Sequence, residues 1–205
     1  MRKTLLAILL AGSVCAVCFG QVLTTALPIG TEQFAIQGFY STTPIKAADS
    51  SLSAFGPRVI YGIAEDLDLI GKLAMGSIAG VGSTTLGIGA KYTFLKVAAK
   101  DPFDMAGYIN YDSSSSKDYN MSTLSLGVVL SKYLRNNFTL YGLLCPLQFS
   151  AKYTGTPSVS ATALQLGIGI KYQVNKKFSM LGEISTFSAE GETYTNFSVA
   201  GEYNL

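Results

Sequence analysis

Phe197-Ser198-Val199-Ala200-Gly201-Glu202-Tyr203-Asn204-Leu205 puts an apolar or small residue at every second position, 197, 199, 201, 203 and 205, up to the carboxyl end. A period of two is the mark of a β-strand with one apolar face. Chain ends are ordinarily frayed and polar, so an amphipathic strand that persists to Leu205 implies a terminus that is itself paired and covered. A closed barrel meets that requirement without leaving an open edge.

The composition narrows the class. The 205 residues are 48% hydrophobic and 14% charged, with 21 glycines and neither Trp nor His. Met1-Arg2-Lys3, followed by an apolar run from Thr4 that ends in small residues at Gly20, reads as a secretory signal peptide over 1–20, with 21–205 as one domain. Val14 before Cys15 and Val17 before Cys18 do not supply the small residue that lipid attachment requires. Removing Arg2 and Lys3 leaves 13 basic against 13 acidic residues, so no basic footprint for nucleic acid remains. Cleavage also leaves Cys145 as the single cysteine, which excludes an intramolecular disulfide or a cysteine metal cluster. Beyond residue 20 no run of 18 apolar residues occurs, so a membrane-spanning form has to be a barrel.

Strand-like segments near 32–41, 56–65, 67–77, 84–94, 103–112, 121–133, 138–148, 162–174, 178–187 and 194–205 alternate with turn signals. Gln21 to Gly30 reads as a short lead-in. The fold predicted is all-β, an antiparallel up-and-down transmembrane β-barrel of ten strands, with eight as the alternative. A repeat supports it: Leu86-Gly-Ile-Gly-Ala-Lys-Tyr92, Leu126-Gly-Val-Val-Leu-Ser-Lys-Tyr133 and Leu166-Gly-Ile-Gly-Ile-Lys-Tyr172 set Leu-Gly pairs 40 residues apart. The middle copy carries one extra residue, which swaps the faces of Lys132 and Tyr133 unless a bulge near 128–131 absorbs it. Polar turns at Glu65-Asp66, 135–137 and 175–177 mark one end, and Ser/Gly/Thr-rich stretches at 112–119 and 150–160 predict longer loops at the other.

Leu164, Leu166, Ile168, Ile170, Tyr172 and Val174 share one face of their strand, and Gln165, Gly167, Gly169, Lys171 and Gln173 share the other. A soluble barrel turns its apolar face inward and shows water many Lys and Glu. Here the second face is mostly Gly, Gln, Thr and Ser, which suits a crowded narrow lumen, with the aliphatic face toward lipid. Tyr92, Phe94, Phe103, Tyr133, Phe138, Tyr172, Phe178 and Tyr203 gather at the turn end as an aromatic belt would.

With signal, repeat, polarity and terminus together, residues 32–205 resemble the small bacterial outer-membrane β-barrel superfamily that includes the OmpA transmembrane domain and OmpX. The terminal strand resembles that group's assembly signal at Phe197, Val199, Gly201, Tyr203 and Leu205, where Leu205 departs from the usual final Phe. The resemblance implies integral outer-membrane localisation in a Gram-negative type of cell envelope, with periplasmic turns and extracellular loops. It also implies contact with outer-membrane lipid, and with periplasmic chaperones and the barrel-assembly machinery during biogenesis.

The chemistry is defined by exclusion. The absence of His removes the His-dependent hydrolytic sites. Glu65, Asp66 and Asp68 read as turn residues, and Asp112, Asp118, Glu190 and Glu192 as loop residues, so no enzyme, cofactor or metal site is expected. The inward charges are Arg58, Asp68, Lys72, Lys91, Lys132, Lys171 and Glu183, with Lys171 and Glu183 expected to meet across adjacent strands. Two function classes follow: a monomeric structural or surface-interaction barrel with a plugged lumen, and a porin-like narrow pore for ions or small solutes. Ten strands favour the filled state.

Overall fold

A computed structural model describes residues 22–45, 50–78, 81–97, 103–117, 119–135, 137–155, 157–189 and 192–205. The described residues form ten strands, β1 (Phe34–Ile45), β2 (Ser50–Ala64), β3 (Leu67–Ile78), β4 (Val81–Leu95), β5 (Asp104–Ser116), β6 (Tyr119–Arg135), β7 (Phe138–Tyr153), β8 (Val159–Gln173), β9 (Phe178–Ala189) and β10 (Glu192–Asn204). Each pairs antiparallel with its chain neighbours, and β1 pairs with β10, which closes the barrel. Closure reaches the terminus: the Leu205 amide donates to the Phe34 carbonyl at 2.9 Å. Phe197, Val199, Tyr203 and Leu205 point outward at 44–61% exposure, and Gly201 shares their face.

Alternation fixes both faces of the wall. On β8, Leu164, Leu166, Ile168, Ile170 and Tyr172 lie outward at 37–56% exposure, while Gln165 is buried. That apolar outward stretch of about nine residues matches the length of a strand that crosses a bilayer. Toward the end away from the short turns, the outward positions change to Ser and Thr, as at Ser113, Ser115, Ser122, Thr162, Thr186 and Ser188. Paired aromatic rings hold the turn end, Phe34 on Tyr61 at 4.4 Å and Phe138 on Tyr172 at 4.6 Å. The β8–β9 turn is held by Asn175, whose Oδ1 accepts from the amides of Lys177 and Phe178.

Three sequence expectations are corrected. The stretch 112–119 is not a loop, because β5 continues to Ser116 and β6 begins at Tyr119; likewise β7 runs to Tyr153 and β8 begins at Val159. Once a ladder is established, exposed Ser and Thr fit its pleat, and the Thr85 and Ser114 hydroxyls pair at 2.7 Å across it. Among the described residues, the widest spacing between consecutive strands, from Leu95 to Asp104, is at the turn end. No bulge occurs at 128–131, since β6 keeps one register with β5 throughout and with β7 until the shift between Tyr133 and Arg135. The extra residue consequently does swap faces: Ser131 takes the inward position that Lys91 and Lys171 occupy in the other copies, and Lys132 is exposed on the outside. Tyr133 falls on the inward series at the mouth, where it lines a cavity instead of joining the outer belt.

Candidate functional site: the lumen and the segment inside it

The repeat glycines explain how charge is accommodated in so narrow an interior. Lys72 of β3, Gly87 of β4 and Asp112 of β5 stand in one register row. The Lys72 ammonium and the Asp112 carboxylate meet at 2.9 Å across Gly87, with both side chains almost fully buried. A Cβ on residue 87 would lie 2.1 Å from Asp112 Oδ1, so any larger residue blocks the bridge. Gly169 does the same between Tyr141 and Glu183. The Tyr141 hydroxyl donates to Glu183 Oε2 at 3.3 Å over a position where a Cβ would strike the ring at 2.2 Å. Inward glycine on the middle strand thus lets the two flanking strands reach each other.

Three direct ion pairs follow. Lys72 pairs with Asp112, Lys91 with Asp68 at 3.0 Å, and Lys171 with Glu202. Glu202 also accepts from Gln37 Nε2 at 2.7 Å, and Gln37 stands beside Arg58 in register. The expected Lys171–Glu183 pair does not form, because Lys171 is in register with Leu181 and Glu183 with Gly169. Of the charges predicted inward, Arg58, Asp68, Lys72, Lys91 and Glu183 are each at most 6% exposed and Lys171 is partly buried. Sequence reasoning missed Glu202 and Asp112. Glu202 shares the face of Ser198 and Ala200, so its inward direction was readable from strand parity; Asp112 was hidden by the Ser-rich stretch after it.

The largest feature missed is the stretch before β1. Val22, Leu23, Thr24, Thr25 and Ala26 are 0–6% exposed, and their partners are inward side chains of the wall. Val22, Leu23 and Ala26 belong to the same apolar core as Phe39, Val129, Tyr141 and Leu181. The backbone is held by polar groups around the ring. Lys91 Nζ donates to Thr24 Oγ1 and to the carbonyls of Thr25 and Leu27 at 3.2, 2.9 and 2.6 Å. Thr93 Oγ1 donates to the Ala26 carbonyl, Ser131 Oγ accepts from the Ala26 amide, each at 2.6 Å, and Asp68 accepts from the Ile29 amide at 3.2 Å. Gln37 Nε2 donates to the Leu23 carbonyl at 3.1 Å. The inward Ser131 that replaces a lysine in the repeat is therefore an acceptor for this segment.

Arg58 and Glu183 meet through that segment. Arg58 donates to the Val22 carbonyl at 2.7 Å and Glu183 accepts from the Leu23 amide at 2.9 Å. These two groups belong to one peptide unit, so it lies between a guanidinium and a carboxylate and couples them. The Arg58 guanidinium also stands 5.6 Å over the Phe39 ring. At the mouth the chain reverses through Gly30, whose φ of 106° suits glycine. There the Glu32 amide donates to the Gly62 carbonyl at 2.8 Å. Beside the segment a polar cavity of about 250 Å³ opens at the turn end, lined by Lys91, Tyr133, Thr139, Lys171, Ser179 and Glu202 among others.

No protein-family model matches the chain, and no curated protein matches it. Solved structures similar to it include Ail, the attachment invasion locus protein of Yersinia pestis, at 14% identity over 86% of this chain and all of that one, with a TM-score of 0.45. The N-terminal β-barrel domain of Pseudomonas aeruginosa OprF is 11% identical over 86% of this chain and 99% of that one, at a TM-score of 0.41. The translocator domain of the autotransporter NalP from Neisseria meningitidis is 12% identical over 98% and 97%, at 0.40. By its own strand order and closure, the chain is a small antiparallel up-and-down β-barrel of ten strands with its apolar face turned outward.

Proposed function

We propose that the protein is an integral outer-membrane barrel closed by its own amino-terminal segment, and that it works as a structural or surface-interaction component of the cell envelope. The observation that carries this is the Val22–Leu23 peptide held between Arg58 and Glu183. A lumen whose ion pairs are completed by backbone from the segment is built to be filled. The outward apolar belt, with charged side chains near its margins, supplies the surface that lipid would cover. Leu205, Tyr203 and the alternating positions before them would be read by the assembly machinery, after chaperones carry the chain across the periplasm. The turns would face the periplasm, with one copy acting alone. Because the opposite connections are short, partners outside would meet the Ser/Thr collar of the strand ends instead of long loops. Each buried carboxylate of the lumen is engaged by a cation, a hydroxyl or a backbone amide, and this supports a structural, non-enzymatic role.

The mouth cavity favours a second reading, a narrow pore that conducts when the segment leaves. Planar-bilayer recording separates the two. The mature barrel is expected to hold the bilayer closed and a chain lacking 22–29 to conduct; steady single-channel conductance from the intact mature chain would refute the closed reading.

A further inference from the structure

We infer that the polar cavity at the turn end is a binding site for a small zwitterion of the α-amino acid type, laid head to tail along the Lys171–Glu202 pair. The inference rests on the filled-lumen reading, because the seated segment supplies one side of the site.

Two register rows of the wall meet at this cavity. Thr139 of β7 stands opposite Lys171 of β8, and Ser179 of β9 stands opposite Glu202 of β10. All four residues line the space. Thr139 and Ser179 are 6% and 1% exposed, and neither hydroxyl has a hydrogen-bond partner among the described residues, although polar groups so deeply placed are ordinarily paired. A lysine ammonium donates more than one hydrogen bond, and that of Lys171 has Glu202 as its only partner among the described residues, with its side chain 23% exposed. Lys91, the other cation of the lining, is committed to Asp68, Thr24, Thr25 and Leu27. Glu202 accepts from Lys171 on one oxygen and from Gln37 on the other, which leaves a second lone pair on each. The open polar capacity is therefore a cation, a carboxylate and a hydroxyl beside each.

Charge selects the guest. Lys91 is balanced by Asp68 and Lys171 by Glu202, so a simple anion or cation brings an uncompensated charge into a confined site, a cost that a guest of no net charge avoids. The partly exposed ion pair favours a zwitterion over an uncharged molecule. An α-amino acid holds its ammonium and carboxylate about 3 Å apart, the same separation as a hydrogen-bonded pair, so both ends are met together: the carboxylate by Lys171 and Thr139, the ammonium by Glu202 and Ser179. The segment adds Leu27, Pro28 and Ile29 to the lining, an apolar side for the guest's side chain. At about 250 Å³ the cavity lies below the roughly 300–1,000 Å³ of sites for drug-sized ligands, which suits a guest no larger than valine.

The test is saturation-transfer NMR on the mature chain in nanodiscs, with empty nanodiscs as the blank. L-Valine is titrated beside 3-methylbutyrate, which lacks its ammonium, and 2-methylpropylamine, which lacks its carboxylate. L-Valine should saturate with a dissociation constant on the order of 1 mM, within reach of so small a ligand, and each half should bind at least about tenfold more weakly. The double variant Thr139→Val/Ser179→Ala keeps the Lys171–Glu202 pair and should weaken L-valine about tenfold through two lost hydrogen bonds, with its melting temperature unchanged. No saturable binding of L-valine would overturn the inference, as would either half binding as tightly as the whole, or the double variant binding as tightly as the wild type. Planar-bilayer recording keeps the two readings apart. An intact barrel that stays closed yet takes up no L-valine refutes the zwitterion site alone, whereas steady conductance from the intact chain refutes the filled lumen and, with it, the site that the segment helps to wall.

Discussion

The two halves of the lumen are filled by different means. Away from the turns, wall side chains do it: Leu143, Cys145, Leu147 and Phe149 from β7 and Phe187 from β9, which stacks on Tyr194 at 5.2 Å. Toward the turns the wall contributes Arg58, Asp68, Lys91, Ser131, Glu183 and Glu202, and the space between them is taken by backbone from residues 22–29. The first filling is covalently part of the strands and leaves only if the barrel unfolds. The second joins the wall through Gly30 and is held by hydrogen bonds to polar and ionised groups of the wall. The two regions are thus distinguished by which atoms take up the centre, wall side chains in one and backbone in the other.

The largest effect expected is from removing residues 22–29, which strips buried ions of several charge-assisted bonds at about 1.5–3 kcal/mol each. The folded band on unboiled gels should weaken, and the loss measured by denaturant titration should be on the order of 5–10 kcal/mol. Glu183→Gln comes next. It removes the carboxylate that shares a peptide with Arg58 and should cost about 3–5 kcal/mol, with leak appearing in bilayers. Leu147→Ala probes the other half: a cavity there should cost about 2–5 kcal/mol yet leave the bilayer closed, because the segment stays seated. If Leu147→Ala leaks as readily as Glu183→Gln, the two fillings are not distinct.

Gly87→Ala should cost about 1–3 kcal/mol by forcing Lys72 and Asp112 apart, an effect expected to shrink when Asp112→Asn has already broken the pair. The smallest effect is outside the lumen, at Lys96. The hydrogen bond to Asp66, against an opposing effect of desolvation and with help from Glu65, holds its ammonium above the ordinary lysine value. A raised folded-state pKa gives stability that is fully present below the unfolded value of 10.5 and is lost as pH rises through the folded one. The difference between the wild type and Lys96→Ala should therefore be constant through neutral pH and disappear in strong alkali.

Most of the wall was legible because period-two alternation is a local signal: all ten strands and the polar turns follow from it, as does the inward direction of Lys72, Lys91 and Glu183. Lys132 misled because it sits in a repeat whose Lys-Tyr ending is shared, while strand parity counted from Leu126 places it outside. The Ser-rich strand ends read as loops because Ser is common in both settings. The segment 22–29 was not legible at all. Its stretch Val-Leu-Thr-Thr-Ala-Leu-Pro-Ile has no charge and no strand partner, and the groups that hold it are up to 160 residues away in the chain. Nothing local shows that Ser131, Thr93 and Glu183 converge on one peptide run; only closure of the barrel brings them together.

Cross-linking reads out whether residues 22–29 lie inside the barrel. The Ala26 amide and Ser131 Oγ are 2.6 Å apart, which brings the two residues within reach of a disulfide. In a Cys145→Ser background, the double variant Ala26→Cys/Ser131→Cys should oxidise to a single intramolecular species in the membrane, with both thiols lost and a faster-running band on unreduced gels. Two free thiols that remain open to a water-soluble alkylating reagent in the folded barrel would contradict that placement.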